Sequence, residues 1–261
     1  MAATDTETIA MNTEVAPIDV TTPWRDAPYK LSWNTVADLP HREVEPMGPN
    51  HSWAAGLATP PWVDSGPSDE PFDFGRAVAT LLADICRHVP EFSGFDPRRI
   101  LIGFLQARHA RGHGLQARVT PLRFPGGQLV RTARGRLFQV QRFVVAEVEM
   151  LYVMTFCLPR FLDQSFEQKM VTLFHELFHI GPEFDGDLRR HPGRCTFHTS
   201  SKSAYDEHMA ELARRYLAGG ANPRLHGFLR LNYAQLRARH GQVLAVRLPR
   251  PKILALPVAE G

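Results

Sequence analysis

Apolar residues recur at helical spacing from Pro71 onward: Phe74, Ala77, Val78, Leu81, Leu82 and Ile85 fall on one face, and the pattern stops near Pro90. This predicts the first helix. Arg99 to Gln106, Leu115 to Phe124, Leu137 to Val145 and Val148 to Leu158 then read as strands rich in Ile, Leu, Val and Phe. In the last of these, Val148, Met150, Tyr152, Met154 and Phe156 alternate with Leu151, Val153, Thr155 and Cys157. Both faces are largely apolar, so this strand should be covered on both sides. Pro125-Gly126-Gly127 is a turn signal and predicts a hairpin between the segments flanking it.

Ser165-Phe166-Glu167-Gln168 has the form of a capping box, and Gly181-Pro182 supplies a glycine followed by a residue that cannot continue a helix. A helix of about four turns is therefore bracketed between them. A further helix is expected from Ser203, as N-cap, through Tyr205, Met209, Leu212, Ala213, Tyr216 and Leu217 to Gly219-Gly220. The order is helix, strands, helices, which makes the fold class α+β.

Residues 1–70 break this regularity. They hold nine prolines and no sustained apolar period, with 3 basic against 11 acidic residues, a balance of −8. Residues 71–261 carry 27 against 16, a balance of +11. The division predicts three parts: a mostly disordered acidic tail over 1–70, a folded domain over 71–220, and a basic C-terminal extension over 221–261 that begins as a helix and ends proline-rich. No apolar run is long enough for a membrane span, and the first residues lack a signal-peptide core, so the default expectation is a cytoplasmic protein. Cys86, Cys157 and Cys195 are odd in number and far apart, fitting three reduced thiols better than a disulfide framework or a zinc ribbon.

Chemistry concentrates in His175-Glu176-Leu177-Phe178-His179, an H-E-x-x-H sequence inside the bracketed helix. Histidines four apart project from one helical face, one turn from each other, and can grip a single zinc ion at about 2.0–2.1 Å. Glu176, about 100° around the axis, falls beside that ion, where a carboxylate can take a proton from water. Chance would produce the pattern in roughly 3% of chains of this composition, but its confirming context is a capped amphipathic helix, and both caps are present.

A catalytic zinc takes three protein ligands and leaves one position open, so a further donor is expected downstream. Glu183, Asp185, Asp187, His191, His198, Glu207, His208 and Glu211 are the candidates. His198 stands late in the loop, just before the next helix, and is the first choice; His191 is the alternative third ligand. Glu183 and Asp185 suit the outer role of accepting an imidazole N–H, while Glu207 or Glu211 would give an arrangement like that of the gluzincins. Tyr205 and His208, three apart on the following helix, could face the metal, although a helix tyrosine is more often a packing residue.

The stretch from Phe174 through His175-Glu176-Leu177-Phe178-His179 to Phe184-Asp185-Gly186-Asp187-Leu188-Arg189-Arg190 resembles the phage metallopeptidase family, a zincin-like group of bacteria and their phages. The likeness extends through His191-Pro192-Gly193-Arg194, His198 and Ala204-Tyr205-Asp206, back to Leu158-Pro159-Arg160-Phe161, and covers roughly residues 72–218. SprT-like peptidases are more distantly similar. The resemblance implies a zincin-like domain with a mixed β-sheet, and a zinc peptidase in which His175, His179 and His198 hold Zn2+ and Glu176 is the catalytic base. It implies a protein or peptide substrate that adds as a strand to a sheet edge. Peptide deformylase shares H-E-x-x-H but requires an upstream Glu-Gly-Cys strand, which is missing here.

The alternative is a binding module with a structural zinc and no peptidase activity. Arg131, Arg134, Arg136 and Arg142, with Arg237, Arg239, Arg247 and Arg250, could neutralise phosphates and give weak DNA association. No reader helix or aromatic stacking set accompanies them.

Overall fold

The computed structural model describes residues 71–107, 114–145, 148–190 and 202–256, and three short strands earlier in the chain. These three are β1 (Arg25–Asp26), β2 (Tyr29–Asn34) and β3 (His41–Pro46). The rest of the acidic stretch, read from sequence as a disordered tail, lies outside the described residues. The body opens with β4 (Phe72–Asp73) and α1 (Phe74–His88), whose N-cap is Asp73, its carboxylate accepting the Arg76 N–H at 2.9 Å. Then follow β5 (Ile100–Gln106), β6 (Ala117–Pro121), β7 (Val130–Ala133), β8 (Arg136–Val140), β9 (Arg142–Val145), β10 (Val148–Glu149) and β11 (Tyr152–Leu158). The helical part comprises α2 (Phe166–Phe178), α3 (Lys202–Ala218), α4 (Pro223–His226) and α5 (Tyr233–His240), followed by β12 (Val243–Ala245) and β13 (Ile253–Ala255). The architecture is mixed α and β, as the sequence predicts.

The sheet that matters for chemistry has the order β5-β11-β6. Strand β11 runs parallel to β5, with Met154 opposite Ile102, and antiparallel to β6, with Thr155 opposite Arg118. All seven residues of β11 are buried, as its two apolar faces require. One face packs on α1 and α2 through Phe156, Phe74, Phe161, Phe92 and Phe174; the other, which carries Val153 and Leu101, is covered by Phe143, Val246 and Leu248. Helix α3 is tied to α1 by a buried hydrogen bond from the Tyr216 hydroxyl to Asp84 Oδ2, 2.7 Å long.

Three sequence expectations need correcting. Pro125-Gly126-Gly127 does turn the chain, with φ of 74° and 71° at its glycines, and Phe124 and Gln128 on either side of it form a single antiparallel bridge, but β6 and β7 do not pair with each other. The hairpin forms further along the chain, between β7 and β8, around Arg134 and Gly135, both at positive φ. The run from Leu137 to Val145 is interrupted at Gln141, whose N–H is given to Lys252 O at 2.7 Å. Helix α3 opens at Lys202, one residue ahead of the predicted cap at Ser203.

Residues after 220 share the core of the preceding part. Leu225, Phe228, Leu229, Leu236, Val243 and Ala245 join the cluster that includes α1 and α2. Strand β12 pairs in parallel with β4, Phe104 N–H donates to Val246 O at 2.7 Å, and β13 lies antiparallel to β8. Lys169 on α2, 1% exposed, donates from Nζ to Leu229 O (2.9 Å) and Leu231 O (2.8 Å), fastening this segment to the helix.

Candidate active site

Helix α2 begins with the reciprocal capping box that its sequence announces: Ser165 Oγ accepts the Gln168 N–H, and Gln168 Oε1 accepts that of Ser165. The helix ends at Phe178, and His179 caps it while keeping right-handed φ/ψ of −68° and −21°. The four-residue geometry therefore persists to its end. His179 Nε2 lies 3.0 Å from His175 Nε2, with the rings nearly perpendicular. Two nitrogens held tetrahedrally by one zinc at 2.0–2.1 Å would stand about 3.3–3.4 Å apart, so the pair is close to the spacing that such an ion needs. Tyr205 of α3, buried, sets its ring edge-on to His175 at 5.0 Å and nearly parallel to His179 at 6.0 Å, which limits the rotation of both imidazoles.

Glu176 lines the same cleft as the two imidazoles and reaches the sheet. It is 6% exposed, and its Oε2 accepts the backbone N–H of Val119 at 2.7 Å. Burial pushes its carboxyl up to about 7, against the opposing pull of the Val119 N–H and the Arg118 charge. Strand β6, which carries Val119, is an edge strand of its sheet. Between β6 and α2 opens a cleft of about 820 Å³, whose walls include Leu115, Val119, Val171, His175, Glu176 and His179.

The loop after α2 is closed by its own hydrogen bonds. Arg189 N–H donates to His179 O (2.7 Å), Arg189 Nε to Phe178 O (2.8 Å), and the guanidinium sits 4.1 Å over the Phe178 ring. A cation at a helix C-terminus also suits the helix dipole. The Tyr152 hydroxyl donates to Asp187 O and accepts the Gly186 N–H, each at 2.9 Å, and Asp187 Oδ2 accepts Gly126 N–H at 2.8 Å. Gly186 is at φ 94°, and a Cβ there would fall 2.4 Å from Arg123 Cγ. The sequence gives no signal for these partners, since each contact joins residues brought close only by the fold.

Of the predicted third ligands, His191 and His198 lie outside the described residues. The others are engaged or turned elsewhere. Asp185 Oδ1 accepts Asp187 N–H, Asp187 pairs with Arg190, Glu207 and Glu211 both reach Arg214, His208 stands edge-on to Phe178, and Glu183 is exposed. Among the described residues, no three His, Cys, Asp or Glu side chains are grouped so as to hold a metal. Of the arginines considered for phosphate contact, Arg142 pairs with Glu149 and Arg131 lies over the Phe124 ring, while Arg136 is exposed beside the hairpin turn. Among the described residues no helix is long and apolar enough to cross a membrane. No family model, curated protein or solved structure matches the chain.

Proposed function

We propose that this protein is a zinc-dependent peptidase in which His175 and His179 hold the ion and Glu176 moves the proton. The observation that carries this reading is the approach of the two imidazole Nε2 atoms to 3.0 Å beside a buried carboxylate. Neutral imidazole nitrogens of this kind are preferred zinc donors. His198 is the proposed third ligand, with His191 as the alternative. When bound, zinc would supply Lewis acidity and lower the pKa of water toward neutrality.

The chain's own residues do the rest. Glu176 is the carboxylate that can accept a proton from water and return it to the leaving amine. Val119 N–H orients that carboxylate. The cleft leaves room for an extended peptide along β6, whose outer edge pairs with no other described strand. An edge strand antiparallel to its neighbour, beside a helix bearing both histidines, supports this reading, which is also the one that the resemblance to the phage metallopeptidase family implies. A purely structural zinc would need neither a buried carboxylate nor a cleft beside it.

Elemental analysis and a peptide-hydrolysis assay test the proposal together. Glu176→Gln should retain zinc and lose hydrolysis. A purified wild-type protein with no bound metal, whose activity is indifferent to chelators, would overturn it.

A further inference from the structure

The two ring nitrogens of a metal-binding histidine serve different ends. One faces the ion, and the other must give its proton to an acceptor that fixes the tautomer and the ring plane. His175 turns Nε2 toward His179, so its Nδ1 faces α3. There Asp206 Oδ1 stands 3.8 Å from Nδ1. The two nitrogens of an imidazole point to widely different sides of the ring, so a carboxylate on the Nδ1 side cannot share an ion with Nε2. It is placed instead to accept the Nδ1 proton, and a small side-chain rotation would bring it to hydrogen-bond distance. Asp206 borders the same cleft, and its neighbour Tyr205 packs against the His175 ring. Glu176, by contrast, is turned to Val119.

We infer that Asp206 is a positioning residue for the metal site, holding His175 as the Nδ1–H tautomer with its Nε2 lone pair available to zinc. This rests on the zinc reading above. The role differs from that of a ligand: Asp206 acts through His175, and its removal weakens the grip without deleting a donor. Truncation should cost about 10–100-fold in zinc affinity, the usual cost of losing such a partner.

The test is zinc affinity of the full chain, measured by competition with a chelator of known affinity, for wild type, Asp206→Ala and Asp206→Asn, beside thermal melts of the metal-free proteins. Support would be an affinity about 10–100-fold weaker for Asp206→Ala, a smaller loss for Asp206→Asn, whose amide oxygen can still accept the proton, and unchanged metal-free melting. Wild type holding one zinc with Asp206→Ala equally tight would overturn the inference and leave the peptidase reading standing. Equal losses in both variants with lowered metal-free melting would overturn it in favour of a role in α3 stability. Wild type holding no zinc would overturn both readings.

Discussion

The Glu176 carboxylate of α2 accepts the backbone N–H of Val119 on the edge strand β6 at 2.7 Å, so the proposed base and the proposed substrate-binding strand are joined by a single hydrogen bond. This bond links chemistry to architecture. Glu176→Gln keeps an acceptor for Val119 and should leave the fold intact while hydrolysis falls about 10²–10⁴-fold, the usual contribution of a general base. Glu176→Ala should lose the same activity and, in addition, about 1–3 kcal/mol of stability, because a buried N–H is left without its acceptor. Paired kinetic and denaturant measurements separate the two effects. Full activity in Glu176→Gln would remove the carboxylate from the mechanism.

Metal content discriminates among the histidines. His175→Ala and His179→Ala should each purify with little or no zinc, and His198→Ala should follow them while His191→Ala stays loaded. Zinc retained by His198→Ala and lost by His191→Ala would exchange those two roles.

Lys169 provides a pH signature in stability. Burial pulls its pKa down to about 8 from 10.5, so between those values the unfolded chain holds more protons than the folded one. Stability contributed through this group must therefore rise with pH across that window and stay level below it. The wild type should gain on Lys169→Met by up to about 3 kcal/mol between pH 8 and 10.5, as read from denaturant midpoints. The variant serves as the reference because the buried tyrosines, whose pKa burial raises above the ordinary value, also make stability depend on pH in both proteins. A difference that does not change with pH would show that Lys169 ionises as it would in water.

Tyr152→Phe removes a hydroxyl that serves Asp187 O and Gly186 N–H at once. The expected cost is about 1–3 kcal/mol, since at least one buried backbone group is left unpaired. Gly186→Ala should be at least as harmful, because its positive φ and the nearness of Arg123 both oppose a side chain. Chemical denaturation of both variants gives the values, and unchanged midpoints would mean that the loop contributes nothing to stability.

What is legible in the sequence is whatever is encoded locally. The apolar period of α1 and the Ser165/Gln168 box of α2 involve residues within four positions of each other, and both elements stand where that pattern puts them. Spacing alone also brings His175 and His179 together. The hairpin escapes a sequence reading because Arg134-Gly135 carries no strong turn signature, whereas Pro125-Gly126-Gly127 does. The interruption at Gln141 depends on Lys252, far along the chain. Three residues, Val243–Ala245, are too few to show a period, so the pairing of β12 with β4 has no local signal. Asp206 is unexceptional in sequence, and only the packing of α3 on α2 brings it near His175.

The parallel pairing of β12 with β4 sets an order of events during synthesis. Strand β4 leaves the ribosome early and must wait for Val243 to Ala245 before its partner exists. Until residues 229 and 231 have emerged, Lys169 has none of the carbonyls that receive its ammonium group. A nascent chain stalled at residue 220 would thus contain every proposed catalytic group and still lack the two carbonyls that fasten Lys169 of the helix that carries them. Competence arrives late, with the closing strand.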